Sequence, residues 1–216
     1  DEHTPGIDAD LVALVRQRRG GTLLNLDRQL LHSAPVARGW NTYMGAIRTG
    51  CLLDGRLREL VILLVAVLNR APYEFAQHAP VALQEGVPQA QVDAMADWRG
   101  AGCFDARERA VLAYAEAMTL TVQVGDDVFA AVRSVLSARE LVELADVTVA
   151  KIEAARAARM MARVVPLHGD PDHESGDASG TSSEARSTEV GDVLARLTDG
   201  REVGAAITIE EDYDEM

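Results

Sequence analysis

The sequence predicts an all-α fold, and three observations carry that prediction. Ala, Val and Leu dominate while aromatic residues make up only 4%, a mixture suited to packed helices. Segment after segment opens with a capping residue and continues with apolar residues three and four apart. No alternating, strand-like stretch occurs before residue 165. With 216 residues, 48% of them apolar, the chain can bury one real core and is short for two.

The first helix is expected over 8–19. Asp8 can cap it, Leu11, Leu14 and Val15 share a face, and Gly20-Gly21 ends it. The run LLNLDRQLLHSAPVARGWNTYMGAIRTG reads as two helices broken at Ser33-Ala34-Pro35, with Ser33 as N-cap and Pro35 close behind. Next comes LDGRLRELVILLVAVLNR, capped by Asp54. Leu57, Leu60, Val61, Leu64, Val65 and Leu68 form one face, and Ile62, Leu63 and Val67 make the other sides apolar too. That helix should be buried nearly all round. Residues 72–85 form another, with Pro72 in the first turn, Gly86 as the stop, and Pro80 expected to loosen the helix just after His78. VPQAQVDAMADW makes a short helix. FDARERAVLAYAEAMTL opens with a capping box, Asp105 to Glu108, and SARELVELADVTVAKIEAARAARMMARVV with another, Ser137 to Glu140, with GDDVFAAVRSVL between them. RELV occurs at 58–61 and again at 139–142, a weak hint of duplicated hairpins; Arg159 stands in the second unit where His78 stands in the first.

After Leu167 the texture changes to Gly, Ser, Asp and Glu, so the prediction is a helical domain over 1–167 and an acidic, largely disordered tail over 168–216. The formal net charge is −13, and residues 169–216 hold 14 acids against 3 arginines. Most of the charge therefore belongs to the tail, and a nearly neutral helical part is no nucleic-acid surface. No apolar run approaches the roughly 18–20 residues that span a bilayer, so no membrane partner is expected. The opening DEHTPGIDAD is acidic and polar, without a secretory signal, which predicts a cytoplasmic protein. Cys51 and Cys103 form no CxxC and are expected to be buried free thiols, with a Cys51–Cys103 disulfide as the alternative. Lys151 is the single lysine, which leaves little scope for Schiff-base chemistry.

Three titratable residues stand out. Glu74 and His78 are four apart and share a helix face. Glu59 lies near the start of the preceding apolar helix, and a short turn at Asn69–Ala71 would pack the two helices antiparallel and let their polar residues meet. A carboxylate beside an imidazole in a dry setting is a proton-transfer device; the same spacing is also common for a simple surface contact. Paired Glu-x-x-His motifs, the helical signature of two-metal sites, are absent, so no metal or other cofactor is expected. Tyr73 and Trp40 are candidate pocket walls, and Arg70 or Arg56 a candidate partner for a substrate carboxylate. His32, His3, His168 and His173 lie in settings with no sign of a site.

The stretch from LLHSAPVARGW through RELVILLVAVLNRAPYEFAQHAPVALQEGVP resembles the carboxymuconolactone decarboxylase family, related to the alkylhydroperoxidase D-like proteins, over roughly residues 20–165. The resemblance implies an all-helical fold that assembles as homo-trimers or hexamers. In the peroxidase branch a glutamate, a CxxC pair and a histidine form a thiol relay. On this sequence the glutamate falls on Glu59, the two thiols on Ala71 and Glu74, and the histidine on His78. Without those thiols a disulfide-based peroxidase has nothing to run on. What remains implies the decarboxylase-like branch: a cofactor-independent lyase acting on a small carboxylated or lactone-like metabolite, with His78 as general acid/base, Glu74 orienting it and Glu59 sharing the proton. A non-catalytic oligomeric binding or scaffold protein is the competing expectation, and an antioxidant peroxidase a weaker one.

Overall fold

A helix that is apolar on every side is stable only when other helices cover all of it, and the segment around Val61 sets that requirement for the whole chain. In the computed structural model, which describes residues 7–164 and their side chains as far as Ala157, the order is α1 (Ala9–Arg19), α2 (Asn25–Leu30), α3 (Ala34–Thr49), α4 (Gly55–Leu68), α5 (Pro72–Gln84), α6 (Gln89–Asp93), a 3₁₀ turn (Met95–Asp97), α7 (Ala106–Leu120), α8 (Asp126–Val135) and α9 (Ala138–Val164). The described residues are helical throughout, without a strand. The predicted tail, 168–216, lies outside them.

Helix α4 is the hub. It packs on α5, α7 and α9, and every residue from Glu59 to Ala66 is buried. Its start is fixed by Asp54, whose carboxylate accepts the amides of Arg56 and Leu57. Around it one core joins Phe75 and Ala79 of α5, Val111, Leu112 and Ala115 of α7, and Leu144, Val147 and Ala150 of α9. A smaller core of Leu11, Val15, Leu26, Leu30 and Ala37 packs α1 and α2 on α3, with Ala154 of α9 joining it. Asp27, buried in that corner, answers Arg18 and Arg19 at 3.4 and 2.9 Å. Burial, with Arg19 alongside, still lowers the Arg18 guanidinium to about 10.

The predicted caps hold at Asp8, Asp54, Asp105 and Ser137. Ser33 stands at the start of α3 but its side chain makes no capping hydrogen bond. Proline at the second helical position removes a first-turn donor, which leaves the hydroxyl less to satisfy. Helix α5 runs through Pro80 to Gln84, close to the expected 72–85; burial of Phe75, Ala79 and Ala82 holds it together despite the lost hydrogen bond. The expectation of buried thiols is corrected: both cysteines are free, but Cys51 is half-buried and Cys103 exposed. They sit in loops next to α4 and α7 rather than on the packed faces.

The capping box of α7 is complete. Asp105 accepts the Glu108 amide at 2.8 Å, and Glu108 accepts the Asp105 amide at 2.9 Å. Asp105→Ala should therefore cost about 0.5–2 kcal/mol, read as a lowered urea midpoint with an unchanged slope. One further clamp matters for the site. Glu143 of α9 accepts the amides of Leu52 and Leu53 at 2.7 and 2.8 Å, tying the loop that enters α4 to α9.

Candidate functional site

Helices α4, α5 and α9 meet around a line of three buried polar side chains. Glu59 stands in the second turn of α4, near the positive end of the helix dipole, which favours a carboxylate. His78 is in the middle of α5, on the face turned to α4. Lys151 comes from α9, on the same stripe as Leu144, Val147 and Ala155. The three residues are 3%, 5% and 8% exposed. The Glu59 Oε2 to His78 Nδ1 distance is 2.7 Å, and the His78 Nε2 to Lys151 Nζ distance is also 2.7 Å.

Donor and acceptor roles follow from the chemistry. An ionised carboxylate only accepts, so His78 Nδ1 carries a proton and donates it to Glu59. Nε2 is then a lone pair, and Lys151 donates to it. Lys151 also donates to Glu74 Oε2 at 3.3 Å. Glu74 faces His78 Nε2 only across 3.8 Å, beyond hydrogen-bond length. The imidazole is thus oriented by Glu59, and Glu74 holds the amine. Arg58 braces Glu59 at 3.3 Å and reaches Glu85 at 3.1 Å.

Burial governs the charges. It pushes the Glu59 carboxyl up, but the hydrogen bond from His78 and the neighbouring Arg58 outweigh it and hold the group below its ordinary range. Burial lowers the His78 imidazole, the Lys151 cation lowers it further, and Glu59 only partly opposes them. Lys151 is also lowered, first by burial and then by the Arg48 charge, against the pull of Glu74 and Glu59. The resting site therefore pairs an anionic Glu59 with a neutral imidazole.

All three shifts have the same sign for stability. Each folded group gives up its proton more readily than the unfolded one, so the unfolded chain binds more protons and stability rises with pH. His78 contributes stability that is complete above its ordinary value of 6.5 and lost as pH falls through its lower folded value; Glu59 repeats this below 4.5. The melting temperature should fall as pH drops from about 7.5 to about 5.5, and His78→Gln should flatten that slope.

A narrow cleft opens on this line. Met44, Ile47, Ile62 and Val147 give it apolar walls, and Arg48, Arg58, Glu59 and Lys151 its polar ones. Its enclosed part has room for about one water, and its empty space out to the mouth is about 260 Å³. A molecule larger than a water reaches its inner end only if the walls part. His78 lies behind the lining, reached through Glu59 on one side and Lys151 on the other. A larger, open depression beside α1, lined by Val12, Arg16 and Gly20 among others, has no titratable cluster.

The sequence-predicted residues separate into two groups. His78, Glu59 and Glu74 come together. Tyr73 is exposed on another side of α5, and Arg70 sits in the turn after α4, at the opposite end of that helix from Glu59. Eleven residues of helix put roughly 16 Å between those ends. Trp40 packs against both cores and does not line the cleft. Arg56 pairs with Glu108 at 2.5 Å. The second RELV copy serves a different purpose, since Glu140 caps α9 and answers Arg107 at 3.2 Å. Lys151, Arg48 and Arg58 are the residues that sequence reasoning missed. The available signal was a lone lysine on the apolar stripe of its helix. Among the described residues no group of three or more His, Cys, Asp or Glu side chains is arranged to hold a metal ion, and no helix is long and apolar enough to cross a membrane.

Residues 34–117 match the sequence profile of the carboxymuconolactone decarboxylase family, a span that contains Glu59, Glu74 and His78. No curated protein is significantly similar in sequence. Among solved structures, an Agrobacterium tumefaciens protein of unknown function, named as a candidate antioxidant-defence protein AhpD, superposes with a TM-score of 0.59 at 20% identity, over 67% of this chain and 98% of that one. A peroxidase-related protein from Silicibacter sp. TM1040 gives 0.64 at 19% identity, over 74% and 86%. The C82A variant of the debrominase Bmp8, in complex with 2,3,4-tribromopyrrole, gives 0.63 at 15% identity, over 89% and 91%. At these identities the likeness is one of fold. Over residues 34–117 the chain is thus similar to the carboxymuconolactone decarboxylase family, and its helical fold is the one these solved structures share.

Proposed function

We propose that the chain is a cofactor-independent enzyme that moves protons on a small carboxylated or lactone-like metabolite, in the manner of a decarboxylase. One observation carries this reading: a continuous hydrogen-bonded line, Glu59 to His78 to Lys151, with 2.7 Å at each join, ends on the wall of a cleft. Such a line delivers or removes a proton without free water. Glu59 fixes the imidazole tautomer, His78 exchanges the proton, and Lys151 and Glu59 present it to the cleft. Arg48 lines the same cleft and makes no hydrogen bond or ion pair among the described residues, so it is the group that would meet a substrate carboxylate. Positions 71 and 74, where a thiol relay would need cysteines, hold Ala71 and Glu74. This separates the reading from disulfide-based peroxide reduction.

The test is a panel of small carboxylated lactones and oxo acids, followed by carbon dioxide release and solvent deuterium uptake at carbon, on wild-type protein and His78→Gln. Turnover that depends on His78 supports the enzyme. A panel without turnover, together with a variant that loses assembly, supports the competing binding or scaffold reading. We also read the domain as homo-oligomeric. Val142 and Val149, exposed on one face of α9, support an interface there, and light scattering of Val142→Glu should report a smaller particle.

A further inference from the structure

We propose that Lys151 is a nucleophile, and that the substrate is a small 3-oxo acid which it holds as an imine during loss of carbon dioxide. This rests on the acid–base reading above and gives it a substrate class. Lys151, not His78, lines the cleft, and its nitrogen caps the one free lone pair of the imidazole at 2.7 Å. Any group in the cleft therefore meets the amine before it meets the histidine. The setting also makes the amine reactive. Burial and the nearby Arg48 cation both favour its neutral form, which is how lysines are readied for imine formation. The base that removes its proton is already in contact. Arg48, on the same cleft, supplies a charge for an acid to approach.

The chemistry balances with water and protons alone. Lys151 gives one proton to His78 Nε2, and the free amine adds to the ketone carbon. After a proton moves from nitrogen to the new hydroxyl, His78 returns its own, and the oxygen leaves as water. The product is a protonated carbon–nitrogen double bond. The bond to the carboxylate then breaks, carbon dioxide departs, and its electron pair forms a carbon–carbon double bond while the nitrogen is neutralised. His78, recharged from solvent, protonates the terminal carbon. Water adds back, releasing the ketone and the Lys151 ammonium. The 3-oxo placement is required, because only a carbonyl one carbon away from the carboxyl-bearing carbon lets the nitrogen take up that electron pair.

Because the chain has a single lysine, trapping is unambiguous. The full-length protein is incubated with acetoacetate, and separately with acetone-1,3-dicarboxylate, in the presence of cyanoborohydride, and the adduct is mapped by peptide mass. The expected result with acetoacetate is an isopropyl group on Lys151, distinct from any background at the N-terminal amine. Lys151→Arg keeps the positive charge and the donors to His78 and Glu74 but cannot form the imine. It should abolish the adduct while circular dichroism and melting temperature stay close to wild type; Lys151→Met serves as the second variant if the larger guanidinium disturbs the core. Absence of a Lys151 adduct with both acids overturns the proposal. Turnover that depends on His78 but leaves no adduct, and survives Lys151→Arg, overturns the nucleophile and leaves the acid–base reading standing. Neither turnover nor adduct removes both.

Discussion

Replacing His78 by glutamine lowers turnover about 10²–10⁴-fold, the usual contribution of one positioned acid/base group. The side chain is chosen with care. The amide of glutamine reaches about as far as Nε2, so it can still meet Lys151, but it neither takes up nor releases a proton near neutral pH. If His78 only filled space, such a variant would lose stability and keep its rate. If it is the centre of the proton line, the variant keeps its fold and loses its rate. Glu59→Gln gives an intermediate result, because the amide still contacts the imidazole but no longer stabilises its cation. A pH–rate profile on wild type should lose its acidic limb in His78→Gln. A turnover number unchanged in the variant would remove His78 from the chemistry.

Glu59→Ala costs about 3–5 kcal/mol of folding stability, the price of breaking a buried charge set by removing one member. His78 Nδ1–H would then have no acceptor, and Arg58 would keep only Glu85 at 3.1 Å. The site lies on α4, against which α5, α7 and α9 all pack, so the loss cannot be absorbed by a local adjustment. Chemical denaturation with tryptophan emission as the signal measures it. A loss under about 1 kcal/mol would mean that water reaches the imidazole and that the line is not dry.

Much of this fold is legible in the sequence because its signals are local. Asp54 before Leu57-x-x-Leu60-Val61, Pro72 at the start of α5 and Gly86 after its end delimit the hairpin, and the hairpin register alone brings Glu59 against His78, 19 residues on. The third member is not local. Lys151 is 73 residues from His78, on a helix whose neighbour is set by tertiary packing, and no spacing rule connects them. Its rarity argued against amine chemistry until its place in the core was known. Tyr73 fails for a simpler reason: one residue before Glu74 on a helix means about 100° of rotation, enough to leave the site. Arg48 is similarly unreadable, since an arginine at the end of α3 looks like any solvated helix terminus until it is seen to share a cleft with Glu59 of α4 and Lys151 of α9.

The hub position of α4 has a consequence for how the protein is made. A helix without a solvent-facing side has no stable place until its last wall arrives. Here that wall is α9, the final described element, whose Leu144 and Val147 cover α4 and whose Glu143 ties down the loop leading into it. On the ribosome, the most apolar segment of the chain emerges early and stays uncovered until synthesis has passed residue 155. The interval is a window for chaperone capture and for aggregation. Nascent chains halted between residues 70 and 135 should therefore be held by chaperones, and chains that include α9 released.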